Sequence, residues 1–128
     1  MNCKIQRKIQ SDINEVKYVV EDILLNIQEA LSDNVFFNTK LILNELIING
    51  VKHGNLEDIS KILDIDVLVN NSCIIIEVSD EGSGIQYNHK SFGYYDFDDT
   101  GRGLMLVEGL SDEFLVSGNT VTCVQYLK

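Results

Sequence analysis

The chain has 128 residues with a hydrophobic fraction of 45%, which suits one globular domain, residues 1–128, with one core. Twenty acids against ten bases leave a net charge of −10, which disfavours nucleic acid and anionic membrane as direct partners. No run reaches the ~18 apolar residues of a membrane span, and Met1-Asn2-Cys3-Lys4 opens without a signal-like apolar core, so the expected location is cytoplasmic.

Residues 3–10 (CKIQRKIQ) carry isoleucines at 5 and 9 among three bases, which predicts an edge strand. Ser11 and Asp12 offer a helix cap, with Glu15 three residues after Asp12 as in a capping box. Ile13, Val16, Val19, Val20, Ile23, Leu24 and Ile27 then form the stripe of an amphipathic helix running to about residue 31. Ser32-Asp33-Asn34 reads as a turn and a second cap. The second helix is predicted over about 35–53, stopped by Gly54.

Residues 62–70 alternate, with Ile65, Val67 and Val69 on one face and Asp64 and Asp66 on the other. Asn70-Asn71 is a tight turn, and residues 73–78 make a more buried strand, so the pair is a hairpin. Residues 86–100 have neither helical nor strand period. They mix Phe92, Tyr94, Tyr95 and Phe97 with Asp96, Asp98 and Asp99. A connection this long reads as a lid or a disordered segment, its acids solvated. A third helix is expected over about 104–110, and residues 114–116 and 120–127 form a second hairpin around Ser117-Gly118-Asn119. The three cysteines, Cys3, Cys73 and Cys123, fall in strand-like runs and read as structural thiols. Neither His53 nor His89 has metal-ligand spacing with them. The order of elements implies an α+β fold: a two-layer sandwich, with helices over one face of a mixed, mainly antiparallel sheet.

Three stretches carry chemistry. In the second helix, Glu45, Asn49 and Lys52 follow i, i+4, i+7 spacing and stack on one narrow face, with His53 one step round. Burying them unpaired would cost several kcal/mol each, roughly the stability of a whole domain. They line a cleft, or they satisfy one another in a structural network. Gly50 inside this helix costs about 1 kcal/mol relative to alanine. Close approach of another element or a ligand would account for it, and so would a tolerated weak spot. Asn44 fits neither face. The second stretch is Asp80-Glu81-Gly82-Ser83-Gly84, leaving a buried strand. A carboxylate there can accept a hydrogen bond from an exocyclic amine, and the glycines let backbone approach a flat ring; an ordinary turn has the same letters. The third is Gly101-Arg102-Gly103 before a helix, where free amides suit phosphate oxygens or simply make a cap.

Together, and in this order, the three stretches resemble the nucleotide motifs of the Bergerat-fold ATPases: gyrases, heat-shock chaperones, histidine kinases and mismatch-repair ATPases. The segment from Glu45 to Gly54 resembles the N-box, Asp80-Glu81-Gly82-Ser83-Gly84 the G1 box, and Gly101-Arg102-Gly103-Leu104 the G2 box. The resemblance runs from about residue 35 onward. Its His53-Gly54 ending and the segment Ser111-Asp112-Glu113 look most like the small bacterial anti-sigma-factor serine/threonine kinases.

The resemblance implies ATP or ADP with Mg2+ as the ligands. It places Asp80 on the adenine amino group, Asn49 on magnesium and Glu45 as general base. Lys52 and Arg102 would neutralise phosphate charge, while Gly101 and Gly103 present amides; His53, Gly82, Gly84 and Leu104 complete the nucleotide site. Lys90 is a candidate lid contact. The partners implied are a sigma factor and an anti-anti-sigma protein of the STAS type, with a homodimer as the usual state of such kinases. Gly50 departs from the family's usual alanine, and the aromatic, acidic lid could mark a partner surface as readily as a phosphate contact. Two functions follow. One is a regulatory serine/threonine kinase that phosphorylates the antagonist. The other is a nucleotide-dependent binding module without phosphoryl transfer. A detached histidine-kinase domain fits less well, since the first helix carries no phosphoacceptor histidine.

Overall fold

The computed structural model describes residues 2–84 and 99–127, the side chains of 99–102 excepted. The elements run β1 (Cys3–Gln10), α1 (Ile13–Ile27), a short 3-10 turn (Gln28–Ala30), α2 (Asp33–Asn49), a π-helical turn (Gly50–Gly54), β2 (Ile62–Val69), β3 (Cys73–Ser79), α3 (Asp99–Leu110), β4 (Glu113–Ser117) and β5 (Thr120–Tyr126). The expected lid residues 86–98, with Lys90 and His89, lie outside the described residues.

The five strands form one sheet in the order β1-β2-β3-β5-β4. All four pairings among the described residues are antiparallel, so the sheet, expected to be mixed but mainly antiparallel, has no parallel pair there. The reason is the placement of β5. Strand β4 runs parallel to β3, as a strand reached through a helical crossover can, but β5 folds back into the gap and separates them. The β1 edge is as the sequence implies, and its bases are used: Arg7 pairs with Asp22 on α1 at 2.6 Å, and Lys8 with Asp64 on β2 at 2.9 Å.

The period-2 alternation of β2 and β3 translates directly into burial. Leu63, Ile65, Val67 and Val69, with Ile74, Ile76 and Val78, face the helices and are buried. Against them pack Val16, Val19, Val20, Ile23, Leu24 and Ile27 of α1, Ile42, Leu43, Leu46 and Ile47 of α2, and Leu104 and Val107 of α3. Each fully buried branched side chain contributes roughly 1.5–3 kcal/mol. A polar pair crosses this layer without penalty: Gln125 Nε2 of β5 donates to Thr39 Oγ1 of α2 at 2.9 Å, both residues being buried. All three cysteines are free thiols on separate strands, and burial pushes the Cys123 thiol up to about 12.

Helix caps follow the sequence with small shifts. Asp12 caps α1 by accepting from the Asn14 amide at 2.9 Å, and Ser32 caps α2, which starts at Asp33 rather than 35. Ser11 has a different task, being fully buried. The helix α2 stands between α1 and α3, so its far side and near side meet different neighbours. Asn44 lies on the α1 side, where its amide donates to Lys40 O at 3.0 Å. It lines a groove of about 520 Å³ with Lys17, Val20, Leu24, Phe36 and Lys40. No motif residue lines that groove. Among the described residues no helix is long and apolar enough to cross a membrane.

Candidate functional site

Glu45 and Asn49 stand one turn apart on α2 and are half-buried. They face Gly103 of α3. A Cβ built on Gly103 would lie 2.8 Å from Glu45 Oε2 and 2.9 Å from Asn49 Nδ2. A methyl here would have to push both side-chain tips aside. The Asn49 Nδ2 atom is buried and has no hydrogen-bond partner among the described residues. An orphan of this kind costs about 1–3 kcal/mol, and it calls for an explanation such as a water, an ion or a catalytic role. A half-turn of the amide presents its oxygen at the same place, so the position can serve a cation or an anion's ligand shell.

The G2 glycines do not precede the helix, as the sequence implied. α3 begins at Asp99, so Gly101 is its third residue and Gly103 its fifth. The amides of the first three helical residues, 99–101, lack an intrahelical partner, whereas that of Gly103 bonds back to Asp99 at i−4. The free donors of the first turn are therefore 99–101, with Gly101 among them. Leu104 faces inward and is buried in the core, a packing position. The Arg102 side chain is outside the described residues.

Asp80, at the end of β3, is a buried residue, 8% exposed. Burial pushes this carboxyl above the usual carboxylate range, against the opposing pull of the Gly82 amide and of Lys61. The Gly82 N–H donates to Asp80 Oδ1 at 2.7 Å. A Cβ on Gly54 would collide with the Asp80 carboxylate, and one on Gly82 would collide with the Gly54 carbonyl. The end of the α2 helix and the G1 turn thus touch through two glycines and one carboxylate. Gly84 is needed for a separate reason, a φ of +112°; the nearest atom to its added Cβ is 3.8 Å away.

Lys52 and His53 are exposed. The i, i+4, i+7 stripe predicted for Lys52 assumes an α-helix, but residues Gly50–Gly54 form a π-helical turn, closed by the Asn55 amide on Gly50 O at 2.8 Å. The wider turn rotates Lys52 and His53 away from the line set by Glu45 and Asn49. Neither takes part in an ion pair among the described residues. Gly50 is explained by close approach: a Cβ there would collide with the fully buried Leu63 on β2.

Two asparagines that sequence reasoning passed over hold the G1 turn. Asn55 is fully buried. Its Nδ2 donates to Ser11 Oγ at 2.8 Å and Ile62 O at 3.2 Å, and its Oδ1 accepts from the Glu81 amide at 2.7 Å. Asn119, in the β4–β5 turn, donates Nδ2 to Asp80 O at 2.6 Å and accepts from the Asp80 amide at 3.0 Å. Glu81 adds a bond from the Ile62 amide to its Oε2, and Ser79 Oγ meets Thr120 Oγ1 at 2.7 Å. The only sequence signal for Asn55 is an amide directly after a helix-ending glycine. After it, Leu56 and Glu57 both adopt left-handed φ, 54° and 56°. Such residues cost of order 1–3 kcal/mol each, and the Glu57 amide bond to Val51 O at 2.7 Å helps to hold them.

The donor set suits one kind of cation. Among the described residues no three His, Cys, Asp or Glu side chains cluster as a metal site. A single amide beside a carboxylate fits magnesium, which keeps its waters and takes phosphate oxygens. The site therefore offers the Asp80 carboxylate at one end, against Gly54, and the Asn49 amide, the Glu45 carboxylate and the free amides of the first turn of α3 at the other.

No curated protein matches the chain. The family model described as "Histidine kinase-like ATPase domain" matches residues 9–128, which extends the likeness through α1 and the end of β1, well before residue 35. Matched over that length, the chain belongs to the histidine kinase-like ATPase domain family.

Proposed function

We propose that this chain is an ATP-dependent regulatory serine/threonine kinase that holds a sigma factor and phosphorylates its STAS-type antagonist. Membership of the ATPase family supports ATP as the ligand. The observation that carries the finer reading is the convergence of Glu45, the orphan Asn49 amide and Gly103 in one cleft. The likeness to the anti-sigma kinases supports the partners, a homodimer, cytoplasmic residence and residues 1–128 acting as one unit.

Each residue then has a task. The Asp80 carboxylate accepts from the 6-amino group of adenine, and a 6-oxo purine would oppose two acceptors. The Gly54 and Gly82 backbone lies against the same carboxylate, leaving room for a flat ring. Asn49 would hold Mg2+, which when bound neutralises charge on the phosphates. Free amides of the first turn of α3, including Gly101, and the Arg102 side chain would meet the phosphate oxygens. Glu45 accepts the proton of the incoming serine or threonine hydroxyl. That oxygen forms a bond to the γ-phosphorus as the β–γ bridging P–O bond breaks and ADP leaves with its electron pair. Positioning and charge stabilisation carry most of the acceleration.

Titration with ATP, ADP and GTP, with and without magnesium, tests the site. Adenine-selective and magnesium-strengthened binding is expected. Transfer of the γ-phosphoryl to a STAS-type protein should vanish in Glu45→Ala while ATP binding persists. If the wild type binds Mg-ATP but transfers nothing, the chain is a nucleotide-dependent binding module instead.

A further inference from the structure

We infer that Asn119, at the tip of the β4–β5 hairpin, is a positioning residue that sets the purine selectivity of the site. The inference rests on Asp80 reading the purine, as proposed above, and adds the residue that aims it. Its basis is the register of the sheet. Ser79 pairs with Thr120, so the next residues outward, Asp80 and Asn119, stand opposite each other where the strands end. The two-residue turn Gly118-Asn119 has a left-handed φ of +61° at Gly118, the conformation a first central glycine supplies in a tight hairpin. That turn directs Asn119 back over β3 instead of outward.

The consequence is that both main-chain groups of Asp80 are held by one residue. The Asp80 amide donates to Asn119 O at 3.0 Å, and Asn119 Nδ2 donates to Asp80 O at 2.6 Å and, more weakly, lies 3.5 Å from Gly82 O. From the other side the Glu81 amide is held by Asn55 Oδ1. The carboxylate of Asp80 is then constrained by the Gly82 amide and by contact with Gly54. A hydrogen bond to an exocyclic amine weakens steeply with angle, so fixing the Asp80 backbone fixes the direction in which its acceptor points. The Asn119 side chain touches no expected ligand atom; it acts through Asp80. Asn55 shares the task but is fully buried and ties four segments together, so replacing it would confound folding with recognition. Asn119 sits at a half-buried turn, where the side chain can be removed cleanly.

The test compares ATP with ITP, which differs at the 6-position of the purine, in the full chain. Asn119→Ala deletes the Nδ2 donor and keeps the main-chain bond to the Asp80 amide. Affinity for ATP is expected to fall about tenfold while that for ITP changes little, so the ATP/ITP ratio collapses; the nucleotide-free melting temperature should shift by only a few degrees. Asn119→Gln, which keeps an amide donor, should recover part of the ratio. Equal losses for both nucleotides, or a lowered melting temperature with the ratio intact, would assign Asn119 a structural role only and overturn the inference. If the wild type itself fails to prefer ATP over ITP, the reading of Asp80 is wrong and this inference goes with it.

Discussion

The substitution that best separates packing from chemistry is Gly103→Ala. In α3, alanine is the better helix former by about 1 kcal/mol. The added methyl, however, would sit 2.8 Å from Glu45 Oε2 and 2.9 Å from Asn49 Nδ2. Ordinary contact for such atoms begins near 3.5 Å, so each tip must retreat by about 0.6–0.7 Å. Both are ends of rotatable side chains, and moving them costs little folding energy. The helix gain and the crowding should nearly cancel, leaving the melting temperature within a few degrees of wild type. Function should not be spared. A misplacement of 1 Å at reacting groups can cost about a hundredfold, so the smaller shift here should lower γ-phosphoryl transfer by roughly ten- to fiftyfold. The magnesium-dependent part of ATP affinity should weaken with it. Thermal melting and an ATP titration with and without magnesium, on the same preparation, measure both sides. A variant that folds normally and keeps wild-type magnesium-dependent binding and transfer would refute the convergence of Glu45, Asn49 and Gly103 as the phosphoryl end of the site.

Three further outcomes follow. Burial raises the Asp80 carboxyl in the folded chain, so the stabilising effect of its protonated form is complete below the unfolded value near ~3.9 and is lost as pH rises through the folded value. Nucleotide-free Asp80→Asn should therefore melt above wild type at pH 7 and lose that advantage toward pH 3, while no longer binding ATP; pH-dependent melting curves check this, and equal melting temperatures at pH 7 would contradict it. Gly50→Ala pushes a methyl into Leu63 in the packed core, where overpacking costs about 1–3 kcal/mol against a helix gain of about 1; a loss of roughly 4 °C in melting temperature is expected. Gly54→Ala should instead displace the Asp80 carboxylate and abolish adenine selectivity, which an ATP-versus-GTP titration would register.

Local pattern decided much of this protein. Alternation in residues 62–69 and 73–79, the apolar stripe of α1 and the caps at Asp12 and Ser32 each depend on neighbours within four residues, and these are legible from letters alone. So were the three motifs, because Glu45 and Asn49 lie one turn apart on a single helix and Asp80 with its glycines is contiguous. What tertiary contact decided are the relations between segments distant in the chain. The π-helical turn turns Lys52 and His53 off the expected stripe, since the chain there must meet both Leu63 and the G1 turn. α3 starts at Asp99, two residues before the first G2 glycine, and its approach to α2 sets Gly103 against the tips of Glu45 and Asn49. Asn55 and Asn119 are ordinary loop letters until Glu81 and Asp80 fold against them, 26 and 39 residues away. A hydrogen-bond partner that far off leaves no periodic trace in the sequence, because the only thing that specifies it is the path of the backbone in between.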